Sequence, residues 1–274
     1  MNRGEVEKQC FDYVKSEVFS HNICYVCSIE EEELIREIFQ TALPNPELSE
    51  FPDFVFEGGF IEHFEVTSSH SNRNGSTMKI EQHSLQKEAE EKEKVFMDEM
   101  SETPRYDGKT AITDKWHSKH SYDDFCLSFK RNWKKHIDSL EKYTGGKNIS
   151  VFMVQYNDSA LVMDTLYPDV KTELFYGDLL EKPKYRGYRL THDSIMLEYI
   201  YQYKDKIKYA VFFTNDVFHG QRCEIICVEN IPEILKIVRG KNSYHCAMIG
   251  SAHTICGISS PNSIYKGDDE NEQA

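Results

Sequence analysis

Two kinds of apolar spacing run along this chain. From residue 5 to residue 19, Val6, Cys10, Tyr13, Val14 and Val18 recur near helical intervals, which predicts a first helix. A short apolar run at 22–27 follows. Ser28 with Glu31 three residues later has the pattern of a capping box. It predicts a helix that turns Leu34, Ile35, Ile38 and Phe39 to one side and ends by Pro44 and Pro46. Residues 51–56 and 60–67 read as two strands around the turn Glu57-Gly58-Gly59, an antiparallel hairpin.

The second half repeats the alternation. Residues 77–100 predict a long charged helix with sparse apolar contacts, and 101–121 a polar, irregular loop. Residues 122–142 predict another helix, stopped by Gly145 and Gly146. Residues 149–156 and 209–214 read as buried strands, 192–203 and 231–238 as helices, and 223–228 as a further strand. Residues 244–259 read as a hairpin around Gly250. The expected fold is α/β, a mixed central sheet flanked by helices. The expected organisation is one domain over 1–266, with a helical insertion at about 77–147 and a disordered acidic tail over 267–274.

Composition narrows the class. Of 274 residues, 39% are hydrophobic, with 16 Phe and 16 Tyr, which is enough for a substantial core. There is no run of about 18 apolar residues and no apolar leader, so the expectation is a cytoplasmic protein without a membrane span. Eight Cys in a chain of this size are then expected as free thiols. Cys24 and Cys27, with Cys223 and Cys227, have spacings a zinc site can use, but in apolar, strand-like context without turn glycines; a zinc-stabilised regulatory protein is one rival reading.

The net charge of −14 excludes a protein that coats duplex DNA by bulk charge. That charge is uneven. The first 50 residues hold 11 acids against 4 Lys or Arg, whereas 105–147 hold 10 Lys or Arg against 6 acids. Within that basic stretch Lys130, Arg131, Lys134 and Lys135 stand close together on the expected helix, as residues that line a phosphate path do. A solvated helix face with Trp133 in the core is the plainer account. His117 and His120 are further loop candidates for phosphate contact.

Chemistry concentrates in the hairpin. Reflection about Gly58-Gly59 sets Asp53 near residues 64–65, so Asp53 and Glu65 are expected to converge. Two convergent carboxylates can hold a hard divalent cation whose shell is completed by water and substrate phosphate. Pro52-Asp53 followed by Glu65-Val66-Thr67 resembles the PD-(D/E)xK nuclease-like superfamily, the restriction-endonuclease-like fold. The resemblance covers roughly residues 30–90 directly, and its motif is short. It implies a Mg²⁺- or Mn²⁺-dependent nuclease acting on DNA, in the style of a restriction or defence enzyme. Asp53, Glu65 and the Val66 carbonyl would be ligands, with Glu37, or failing that Glu33, from the first core helix. Thr67 stands where the family has Lys. The resemblance then implies a substitute from the following helix: Lys79 or Lys87, with Gln82 or Gln86 matching the Gln some members carry there. The rival reading is a binding module on the same fold, without catalysis, that meets a protein partner or a second copy. The plainer account of the pair is that Asp53 caps a strand entrance and Glu65 lies on a solvated face.

Overall fold

A computed structural model of the chain describes residues 3–20, 23–26, 28–47, 50–72, 75–102, 108–117, 119–156, 158, 160–164, 187–216, 220–238, 243–246 and 249–258. The chain forms two compact units, Met1–Ser76 with Lys119–Ala247, and Thr77–Ser118 with Met248–Ala274.

In chain order the elements are α1 (Arg3–Ser20), β1 (Ile23–Val26), α2 (Ile29–Thr41), β2 (Leu43–Pro44), β3 (Phe54–Phe56), β4 (Gly59–Val66), β5 (Ser71–Asn72), β6 (Gly75–Ser76), α3 (Thr77–Glu102) and β7 (Gly108–His117). Then come α4 (Tyr122–Lys142), β8 (Ile149–Tyr156), β9 (Leu161–Asp164), α5 (Ser194–Tyr201), β10 (Tyr209–Asp216), β11 (Gly220–Cys227), α6 (Ile231–Val238), β12 (Ser243–Cys246) and β13 (Ile249–Ile258). The α3, β7 and β13 elements form the second unit; the others belong to the first.

The first unit is a mixed sheet flanked by helices, in strand order β1-β11-β10-β8-β4-β3-β2. β4, β8 and β10 run parallel side by side, and β3 returns antiparallel on β4. Strand alternation sorts the core into two layers. Phe60, Phe64, Val66, Phe152, Val154, Tyr156, Ala210 and Phe212 face one way and pack with Phe125, Phe129 and Trp133 of α4 and with apolar residues of α5 and α6. Ile61, Val151, Met153, Val211, Phe213 and Ile225 face the other way, against Cys10, Phe11, Val14 and Val18 of α1 and Ile35, Ile38 and Phe39 of α2. Both faces of the central strands are covered, so they read as continuous apolar runs. The capping box is present at α2: Ser28 Oγ accepts from the Glu31 N–H, and Glu31 accepts from the Ser28 N–H.

The second unit is a ten-residue antiparallel ribbon of β7 and β13, with α3 packed on it through contacts to both strands. Along α3, Met78, Leu85, Ala89 and Phe96 are buried. The residues expected as an irregular loop at 101–121 therefore include a full strand. Its ladder partner lies more than a hundred residues further on, where no local pattern reveals it. The hairpin expected at 244–259 is replaced by two separate pairings, β12 with β9 and β13 with β7. The insertion expected at 77–147 is divided, since α4 belongs to the first unit and α3 to the second. The acidic stretch 267–274 and Cys27 lie outside the described residues.

The hairpin turn is Glu57-Gly58, and Gly58 takes φ +78, a conformation glycine adopts without strain. Gly59 has no room for a side chain: a Cβ there would run into the Ile149 carbonyl oxygen of β8 and the Phe56 ring. Gly59→Ala is expected to destabilise the protein by about 1–3 kcal/mol in urea unfolding, as forced overpacking does.

Candidate functional site

β4 outruns β3. β3 pairs only as far as Phe54 with Ile61, so among the described residues the outer edge of β4 has no strand partner from His63 onward. Backbone groups on that edge still need partners. Asp53 Oδ2 accepts from the His63 N–H at 2.7 Å, Asn132 Nδ2 donates to the Glu65 carbonyl at 3.0 Å, and the Thr67 N–H donates to Ser128 Oγ at 3.2 Å. Side chains of the β3 approach and of α4 thus finish the ladder.

This corrects the expected register. With a two-residue turn, Asp53 comes opposite Glu62, not residues 64–65. Glu62 Oε2 accepts from the Asp53 N–H at 3.1 Å, and Glu62 Oε1 pairs with His136 Nδ1 at 2.5 Å. Strand alternation turns the backbone groups of residues 61, 63 and 65 outward and those of 62, 64 and 66 toward β8. The Val66 carbonyl, expected as a ligand, is therefore committed to the β8 side.

Glu65 lines a cavity of about 320 Å³ with Val6, Glu7, His63, Phe64, Asn132, Lys135 and His136. Asp53 lines a neighbouring one of about 130 Å³, and Glu7 lines both. So the helix carboxylate beside Glu65 is Glu7 of α1. Glu37 and Glu33 of α2 are exposed and line neither cavity. The lysine that lines the larger cavity is Lys135 of α4. Lys79, Gln82, Gln86 and Lys87 lie exposed along α3 in the second unit, where Gln86 bonds Glu90 at 3.0 Å. Of the basic residues expected on α4, Arg131 and Lys134 are exposed, and the Lys130 ammonium sits 5.4 Å from the centre of the Tyr199 ring.

Beneath the cavity, Gln155 Oε1 lies 3.0 Å from Cys10 Sγ and 3.2 Å from His63 Nε2. A carboxamide oxygen only accepts, so His63 Nε2 carries the hydrogen in this pair. Burial drives His63 down to about 4, against the opposing pull of Glu65, Gln155 and Glu7, so the ring is neutral near pH 7. Burial, then the charges of Glu65 and Glu7, push Cys10 up to about 12. Both carboxylates therefore act on the same thiol from close by.

Thr67 has a different task from the one expected. Its hydroxyl donates to Asp158, which also accepts from the Ser68 hydroxyl at 2.8 Å and from the Ser68 and Ser69 N–H groups. Ser68 Oγ further meets His120 Nδ1 at 3.1 Å and accepts from the Tyr156 hydroxyl at 2.8 Å. His120 is thus part of a buried knot at the ends of β4 and β8, not a solvated loop. Cys223 and Cys227 are buried free thiols, and among the described residues no group of three or more His, Cys, Asp or Glu could hold a metal ion. Glu7, Gln155 and Asp158 were missed by the sequence reading. The usable signal was the helical spacing that set Glu7 beside Val6 and Cys10 on α1.

Comparison with protein-family models, curated proteins and solved structures finds no match to this chain.

Burial alone would raise Asp158. The His120 and Thr67 hydrogen bonds, the His120 charge and the Ser68 bond outweigh it and hold the carboxyl below its usual range. A depressed folded-state value stabilises the protein above the ordinary carboxylate pKa and ceases to do so as pH falls through the folded value. Asp158→Asn is expected to cost roughly 2–4 kcal/mol at neutral pH. In unfolding measured across pH, that deficit stays level from about pH 5 to 8 and shrinks below about pH 4.

Proposed function

We propose that the protein is a divalent-metal-dependent phosphodiesterase acting on nucleic acid, on a nuclease-like arrangement of hairpin, helix and parallel strand. The observation that carries this reading is the composition of one cavity, lined by acids from α1 and β4, Glu7 and Glu65, and by Lys135 of α4. A magnesium-type ion keeps several waters and needs only one or two protein carboxylates plus substrate phosphate, so the pair Glu7 and Glu65 fits it by donor type. When bound, such an ion polarises the phosphodiester and favours hydroxide at neutral pH.

The chain's own residues have separable tasks. Lys135 offers the positive charge that the motif position Thr67 lacks, to a phosphate oxygen. Asn132 holds the Glu65 carbonyl and so fixes the backbone that carries the carboxylate. The neutral His63 adds no cation to compete with the metal, and its hydrogen bond to Gln155 sets the ring orientation. Asp53 favours the second reading, a binding module without catalysis, because its carboxylate is engaged as an edge cap on the His63 N–H.

The test is cleavage of single-stranded and plasmid DNA with Mg²⁺ or Mn²⁺. Glu7→Gln and Glu65→Gln are each expected to slow cutting by at least the roughly 100-fold that an outer-shell partner alone can cost, with unfolding midpoints near wild type. Equal cutting by wild type and both variants would assign the activity to a contaminant. Binding without cutting by wild type would favour the module.

A further inference from the structure

The cavity at the β4 edge is not the end of the basic surface. Phe125, Phe129, Trp133, His136, Ile137 and Leu140 turn one side of α4 into the core. The other side carries Lys130, Arg131, Lys134 and Lys135, and from 130 to 138 the only acid is Asp138. At 3.6 residues per turn, Lys130 and Lys135 stand roughly 140° apart around the helix. Lys135, at one margin, lines the cavity with Glu65. Lys130, at the other, lies over the Tyr199 ring, and its carbonyl accepts from the Tyr199 hydroxyl at 3.1 Å. Tyr199 in turn meets Tyr203, with ring centroids 5.4 Å apart and hydroxyls 3.3 Å apart. Both tyrosines are half-buried and pack against the core at this end of α4.

We infer that this face is a track for single-stranded nucleic acid, running from the Tyr199–Tyr203 pair across α4 to the cavity. Cations spaced along a groove follow a phosphate backbone, and aromatic rings stack unpaired bases of any sequence. A duplex has no unstacked base to offer the tyrosines, and a net charge of −14 opposes wide contact with its denser phosphates. The direction of the track rests on the cavity reading above, but strand binding requires no cleavage.

Fluorescence anisotropy in EDTA, with labelled oligo-dT, oligo-U and a duplex of equal length, tests it. Single strands are expected to bind more tightly than the duplex, and the two oligomers report whether DNA or RNA is preferred. Lys130→Ala with Lys134→Ala should reduce the log–log salt slope by ~0.7 per lysine. Tyr199→Leu and Tyr203→Leu should each weaken binding roughly tenfold, while Tyr→Phe at either position retains it, which separates stacking from a hydroxyl or folding effect. Equal affinity for duplex, or unchanged salt slope and affinity in these variants, would overturn the track. Glu65→Gln keeps the two readings apart. Binding that survives in it while cutting fails leaves the track standing. Glu65-dependent cutting that survives the track variants, with binding unaltered, removes the track alone.

Discussion

A strand longer than its neighbour has backbone groups with nowhere to go, and the candidate site is arranged around that constraint. Three residues of β3 cover the beginning of β4; beyond Ile61 no strand among the described residues pairs with that edge. An uncovered edge invites pairing with another chain, and folded proteins blunt it. Here the blunting is done by three side chains, Asp53, Asn132 and Ser128, each of which takes one outward backbone group. The helix α4 is drawn against the edge by these bonds, and with it come Lys135 and His136. The cavity is what remains between the bare edge, α1 and α4.

That geometry places opposite charges within one small space without neutralising them by burial. Glu62 lies inside the α4 layer and is answered by His136. Glu65 and Glu7 face the other layer, where their neighbours are a neutral imidazole, a protonated thiol and a carboxamide. Glu62 and Glu65, three residues apart on one strand, thus look into different surroundings, the first toward His136 and the second toward the cavity that Glu7 of α1 also lines.

Much of the architecture was legible because it is local. The capping box at Ser28, the glycine turn and the apolar stripe of α4 each depend on residues within a few positions. The site was less legible, for two physical reasons. Register depends on where the two turn residues fall, and centring them on Glu57-Gly58 instead of Gly58-Gly59 moved the partner of Asp53 from residues 64–65 to Glu62. Helix order in sequence also does not say which helix crosses the end of the sheet that matters. α2 lies against the same layer as α1, yet its Glu31 reaches Tyr209 and Cys227, while α1 brings Glu7 to the β4 edge. Likewise the lysine that lines the cavity with Glu65 belongs to α4 and not to α3, because an excursion into a second unit that no local pattern announces comes between the hairpin and α4.

That excursion leaves after β6 and returns at Lys119. Just inside it, residues 68–70 are zipped to 119–121: Ser121 N–H to the Ser68 carbonyl, His70 N–H to the Lys119 carbonyl, with Asp158 clamped on Ser68. A loop whose stem is already closed adds only a slowly growing, logarithmic entropy cost as it lengthens. The stem therefore closes the first unit around the departing segment Thr77–Ser118, so that lengthening or shortening that segment changes little of the closure entropy, while the second stretch of the other unit, Met248–Ala274, joins it by a separate connection.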